Sequence, residues 1–186
     1  MNRVKVLLMC IFMLLPHLLK GEDQSNYRRT SAQKGVGVST DVAVIALPVA
    51  TLAGVLVEQD WEGLKQGALT AVTTAGATLI LKYAIKEDRP DHSNRHSFPS
   101  GHTSAAFSTA TFLQRRYGWK FGVPAYVVAT YIGWGRVFSK KHHWWDVVAG
   151  AAIGAGSAFI YTTPFAHNHA LTVSGGSEGV SLCFEF

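Results

Sequence analysis

Residues 82 to 146 decide the fold: three polar clusters, KYAIKEDRP (82–90), FPSGH (98–102) and GRVFSKKHHWWD (135–146), punctuate segments that are otherwise apolar and small. Polar groups at the ends of apolar segments converge on one pocket when those segments pack as antiparallel helices. An all-α antiparallel bundle with its chemistry gathered at one end is therefore expected.

The chain of 186 residues carries no internal repeat and suits one domain. It is 48% apolar and only 16% charged, with a net charge of +5, which excludes a disordered or strongly charge-driven chain. Nucleic-acid binding calls for a basic stripe on a polar domain. Here the basic residues lie at the clusters or at segment ends, so no nucleic-acid partner is expected. Cys10 and Cys183 sit at opposite ends of the chain and make no disulfide framework or cysteine metal site.

Outward from the clusters, Val147 to Phe165 contains Gly150 and Gly154, a small-residue face that lets helix backbones approach. Leu64 to Ile85 is rich in Ala, Thr and Gly, Thr103 to Leu113 is a short Ala/Ser/Thr segment, and Phe121 to Trp134 follows Arg115, Arg116 and Lys120. Asp41 reads as the cap of an apolar run from Val42 to Val57, about 24 Å long at ~1.5 Å per residue. Residues 22–41 read as a polar, exposed lead-in. The basic start and apolar run of residues 1–21 fit a signal peptide or a first membrane helix. The helical core is then 42–165, and the tail 166–186 is irregular or a β-hairpin around Gly175 and Gly176. With the N-terminus inside, every cluster falls on the outer face and Arg115, Arg116 and Lys120 fall inside.

Lys82, Arg89 and Arg136 are cations beside segment ends, where burial without an anion would be costly. A phosphate supplies that anion, gripped by the Arg forks and by the compact Lys charge. Ser100 is placed to cap the helix that follows it, and Gly101 permits close backbone approach. Free N–H groups at such a start bind anions within reach of His102. His142 and Asp146, four residues apart, meet on one face if both are helical, and the carboxylate then fixes the ring with one nitrogen outward. His92 and His96 have a spacing of four that could suggest a metal, but Pro90 and the polar loop argue against a helix there, His143 is a further histidine, and with no Cys ligands or HExxH arrangement nearby no metal is expected. Trp144 and Trp145 suit packing or a membrane interface.

In order and spacing the clusters resemble the signature of the type-2 phosphatidic acid phosphatase superfamily: Lys, six residues, Arg-Pro; Pro-Ser-Gly-His; Ser-Arg, five residues, His, three residues, Asp. Gly135 departs from it, standing where the pattern has Ser. The resemblance implies a metal-independent phosphatase with no cofactor. His142 would attack phosphorus and form a phosphohistidine, Asp146 would orient it, and His102 would act as acid and then base. Lys82, Arg89, Ser100, Gly101 and Arg136 would bind the phosphoryl oxygens. The family's membrane branch implies six transmembrane helices, counting residues 1–21, and a lipid phosphate substrate at the outer face of a bacterial-type inner membrane. Two alternatives fit the same motifs: a soluble periplasmic acid phosphatase, consistent with the modest mean hydropathy of +0.14, and a non-catalytic protein that retains the fold.

Overall fold

The computed structural model describes residues 29–165, 171–176 and 179–184. Helix α1 (Ser31–Val57) begins where Thr30 and Gln33 cap each other. Gln33 N donates to Thr30 Oγ1 at 3.2 Å, and Thr30 N donates to Gln33 Oε1 at 3.0 Å. This reciprocal box satisfies donors that the helix start would otherwise leave orphaned. The expected lead-in is thus corrected from Ser31 onward, and Asp41 is an interior residue of α1 rather than its cap. Gly37, which weakens the helical signal in the sequence, is buried against Ser139.

Gln59 turns the chain at φ 52°, and Asp60 then caps α2 (Trp61–Ala84) by accepting from Gly63 N at 2.8 Å. The long polar loop after α2 leads to α3 (Gly101–Tyr117). Gly118, at φ +85°, separates α3 from α4 (Trp119–Phe138) with little intervening chain, a left-handed conformation that suits glycine. A short loop then precedes α5 (Trp144–Tyr161). Strands β1 (Leu171–Gly176) and β2 (Gly179–Phe184) pair antiparallel, with Leu171 opposite Phe184 and Gly176 opposite Gly179. Gly175 and Gly176 therefore end β1 rather than forming the expected turn. Residues 1–21, on which the six-helix count rests, lie outside the described residues.

Helix α3 packs against all four other described helices. Its closest neighbour is α5, where a Cβ on Gly150 would strike the Ser100 carbonyl and one on Gly154 the Ser104 carbonyl. The small-residue face thus serves backbone approach, as its spacing suggests. The ends of α2 and α4 and the starts of α3 and α5 lie together, which brings the three sequence clusters to one end of the bundle.

The interior is small and hydroxyl-rich. Ile132 is the one large hydrophobe among the bulkiest fully buried side chains described, beside Thr40, Thr78, Thr103 and Thr111. Large apolar side chains lie outside instead: Val42, Val72, Ile80, Val127, Val148, Phe159 and Ile160 are all exposed. A water-soluble bundle has the opposite distribution, because burying apolar area is what stabilises it. The five described helices would be about 26 to 40 Å long at ~1.5 Å per residue, against a hydrocarbon core of ~30 Å. By composition alone α1 is the one described helix apolar enough to cross a membrane, with a mean hydropathy of 2.1 in its best window.

Candidate active site

His142 lies in the loop before α5, not on the helix, so its relation to Asp146 differs from the expected one-turn spacing on a shared helix. Asp146 sits in the first turn of α5 and reaches back, accepting from His143 N at 2.8 Å. That backward reach brings Asp146 Oδ2 to 3.5 Å from His142 Nδ1, an ion-pair distance too long for a strong hydrogen bond. Both residues are buried. The Ser97 hydroxyl donates to the same carboxylate oxygen at 2.5 Å and anchors it from the α2–α3 loop. Burial holds the His142 pKa well below its ordinary 6.5; the Asp146 carboxylate opposes the shift, and Arg136, Arg89 and Lys82 add to it. The ring is therefore neutral at pH 7, the form in which an imidazole can act as a nucleophile.

The cations around it are of two kinds. Lys82 Nζ donates to the carbonyls of His96 at 3.0 Å and Pro99 at 2.8 Å, so it ties the loop before α3 as well as carrying charge. Arg89 has buried Nε and Nη1 groups without a hydrogen-bond partner, and Arg136 has a buried Nε in the same state. Unpartnered buried guanidinium donors are costly unless an anion arrives. Burial lowers the Arg89 pKa from its ordinary value, with Asp91 and Asp146 opposing.

Ser100 occupies the N-cap of α3, but its hydroxyl makes no cap bond and instead accepts from Thr103 Oγ1 at 3.0 Å. The backbone N–H of Ser100 donates to the Asp146 carbonyl at 3.0 Å, docking the start of α3 onto α5. The N–H groups that follow, from Gly101 and His102, are the first-turn donors for which a helix has no internal acceptor.

Three residues that the sequence reading does not assign to the site belong to this region. Asp41 reaches from α1 to His102 Nε2 at 2.9 Å and to Arg136 Nη1 at 2.5 Å. Ser97 holds Asp146, and Glu87 accepts from Trp145 Nε1 at 2.5 Å. Glu87, His143 and Asp146 also bring three ligand-type atoms within 4.8 Å of one another. His143 stacks on Trp145 at 4.4 Å between ring centroids, and His96 lies edge-on to Tyr83. Gly135 faces α1, where Thr40 Cγ2 fills the space its Cβ would need.

An apolar groove of about 520 Å³ lies between α4 and α5 beside Phe107 of α3, lined also by Tyr131, Trp134, Trp144, Val147 and Val148. A larger cleft of about 880 Å³ is bounded by Leu47, Val55, Leu113, Tyr117 and Phe121 at the opposite end, away from the site residues. That end is held by a bidentate pair: Arg116 donates to Asp60 from Nε at 2.7 Å and from Nη2 at 2.5 Å, and the Tyr117 hydroxyl adds a bond at 2.8 Å. Arg116 is thus a buried structural cation.

Comparison with known proteins places this site in context. The family described as the PAP2 superfamily matches residues 64–169. A lipid A 1-phosphatase from Porphyromonas gingivalis is 34% identical over 120 residues, covering 59% of this chain and 27% of that protein. A lipid A 4'-phosphatase from Helicobacter pylori is 31% identical over 121 residues, covering 59% of this chain and 61% of that protein. The chain thus spans less than two thirds of either relative. The crystal structure of Aquifex aeolicus LpxE superposes with a TM-score of 0.62 at 21% identity, covering 81% of this chain and 93% of that one, a likeness of fold.

Proposed function

The chain belongs to the PAP2 superfamily, and on that footing we propose that it is a membrane-embedded, metal-independent phosphatase that removes a phosphoryl group from a lipid. The observation that carries this reading is the set of buried guanidinium donors of Arg89 and Arg136, left without partners beside a neutral, carboxylate-backed His142. A phosphoryl group supplies the missing acceptors.

In the proposed first half-reaction His142 Nε2 attacks phosphorus while Nδ1 faces Asp146. The P–N bond forms, the bond from phosphorus to the leaving oxygen breaks, and His102 gives that oxygen a proton. In the second half-reaction His102 takes a proton from water, whose oxygen attacks phosphorus and breaks the P–N bond, releasing inorganic phosphate. Arg89, Arg136 and the first-turn amides of α3 bear the equatorial charge, and Lys82 adds its field; such stabilisation is usually the largest part of this catalysis.

Three observations favour a lipid. Large apolar side chains face outward around the bundle. The apolar groove between α4 and α5 lies between the helices that bear Arg136 and Asp146, a place for an acyl chain. The two relatives named above are lipid A phosphatases by name, so a phosphorylated glycolipid leads the substrate list. We place the site on the outer face of a bacterial-type inner membrane, with Arg115 and Lys120 on the inner side; because the site end itself carries Lys86, Arg89, Arg95, Lys140 and Lys141, this placement follows the resemblance to the family's membrane branch and not the positive-inside rule.

The test is phosphate release by the detergent-purified full chain from lipid A, phosphatidic acid, phosphatidylglycerol phosphate, an isoprenyl diphosphate and one soluble ester, each with and without EDTA. Turnover of a lipid, unchanged by EDTA, is expected. Turnover of the soluble ester alone, by protein recovered without detergent, would support the soluble acid phosphatase instead. No release from any substrate would favour a non-catalytic protein.

A further inference from the structure

Asp41 precedes the residues matched by the family, which begin at 64, and stands in none of the three motifs. Its place is nevertheless set by the site. Thr40 occupies the space left by the missing side chain of Gly135, which presses α1 against α4. Asp41 Oδ1 then lies 2.9 Å from His102 Nε2 and 2.5 Å from Arg136 Nη1. The His102 and Arg136 side chains are nearly buried, at 11% and 6% exposure, while that of Asp41 is half exposed.

His102 is asked to carry a positive charge where the surroundings oppose it. Arg136 on α4 and Arg89 on the loop before α3 both act on its ring, and Asp41 is the acidic group that faces it. A general acid must be protonated before it can give its proton to the leaving oxygen. Without a counter-charge, two guanidinium groups and burial favour the neutral ring, which has no proton to spare.

We propose that Asp41 is a positioning residue for His102: its carboxylate holds the ring by Nε2 and offsets the charge of the imidazolium, leaving Nδ1 to pass the proton to and fro. In the first half-reaction the Nδ1 proton moves to the leaving oxygen as its bond to phosphorus breaks. In the second, neutral Nδ1 takes a proton from the attacking water and the imidazolium reforms beside Asp41. The same carboxylate oxygen fixes the Arg136 guanidinium, whose Nε stays unpartnered for the phosphoryl group. The site then contains two His–Asp pairs, one for the nucleophile and one for the acid. The 2.9 Å contact is an ion-pair approach without hydrogen-bond alignment, and alignment on substrate binding is expected.

This proposal rests on the phosphatase reading. Its test uses the full chain in detergent as wild type, Asp41→Asn and Asp41→Glu, assayed across pH on two substrates: the lipid phosphate that wild type hydrolyses best, and a nitrophenyl phosphate whose leaving group needs no proton. For Asp41→Asn, kcat on the lipid phosphate should fall at least ~10-fold, a loss bounded above by the ~100- to 10,000-fold contribution of the proton-transfer group itself. The alkaline limb of its pH profile should move to lower pH, and the loss on the nitrophenyl ester should be several-fold smaller. Asp41→Glu should restore part of the rate and the original limb. Because the readout is a ratio between two substrates, a lowered yield of folded protein does not mimic it, and if Asp41→Asn cannot be purified the same ratio is read on Asp41→Ser, which also removes the carboxylate. Equal losses on both substrates, or a wild-type profile, would overturn the proposal. A lowered KM with kcat unchanged or raised would also overturn it, marking Asp41 as an anion that competes with phosphate. A wild type that hydrolyses neither substrate would instead refute the phosphatase reading itself.

Discussion

Ser97 donates its hydroxyl to Asp146 Oδ2 at 2.5 Å, joining the loop after α2 to the first turn of α5. The carboxylate that backs His142 is therefore held by a residue outside the family motifs. Ser97→Ala should leave the nucleophile in place but let Asp146 turn away from it. We expect kcat to fall about 10-fold, in the range of outer partners that orient an active group, with KM changing little. A parallel loss in Asp146→Asn that does not add to the Ser97 effect would show that the two act as one unit.

The pH profile follows from the state of His142. Its pKa lies well below 6.5 in the folded protein because the ring is buried among cations. A depressed value keeps the neutral, nucleophilic ring available as pH falls, until pH passes through that value and protonation removes it. The acid limb of kcat/KM in the free enzyme should accordingly lie below 6.5. An acid limb at or above that value would contradict a neutral His142 in the resting site.

Gly135 stands where the family pattern has Ser, and the structure supplies a reason. A Cβ there would overlap Thr40 Cγ2 and come within 3.1 Å of Val36 Cγ1. Gly135→Ser should therefore lower stability by about 1–3 kcal/mol, the usual cost of overpacking, and lower activity as α1 shifts with Asp41. Thr40→Ala in the same chain should recover most of the loss. A Gly135→Ser variant more active than wild type would instead mean that α1 yields and the added hydroxyl reaches substrate.

The far end of the bundle tests stability apart from chemistry. Arg116 and Asp60 form a buried bidentate pair with side-chain exposures of 6% and 2%. Removing one partner leaves the other charge uncompensated, at a cost of about 3–5 kcal/mol. Arg116→Met should lower the melting temperature in detergent, whereas kcat per folded molecule should stay near wild type.

The sequence makes the three clusters, the helix starts at Ser100 and the Gly150/Gly154 face readable because each is a local pattern with a local physical cause. Asp41 escaped because its position beside Val42 looks like a cap, while its partners lie on α3 and α4, as far as 95 residues away. Ser97 escaped for the same reason, since its acceptor is 49 residues distant. The start of α1 was misplaced because Gly35 and Gly37 read as loop residues, although Thr30 and Gln33 carry the capping signal. Lys82 was legible as a cation, but its bonds to the His96 and Pro99 carbonyls depend on how the loop folds back over α2. The outward-facing apolar surface needed the packing itself, because the α2 to α5 runs are diluted by Ala, Gly and Thr.

The most direct test of the central claim is rapid quenching of the full chain with a substrate carrying labelled phosphate, followed by location of the label on the protein. The account predicts an acid-labile, alkali-stable phosphoryl group on His142, absent from His142→Ala, which should have no turnover while remaining folded. Full turnover by His142→Ala, or turnover in wild type with the label on another residue, would contradict it.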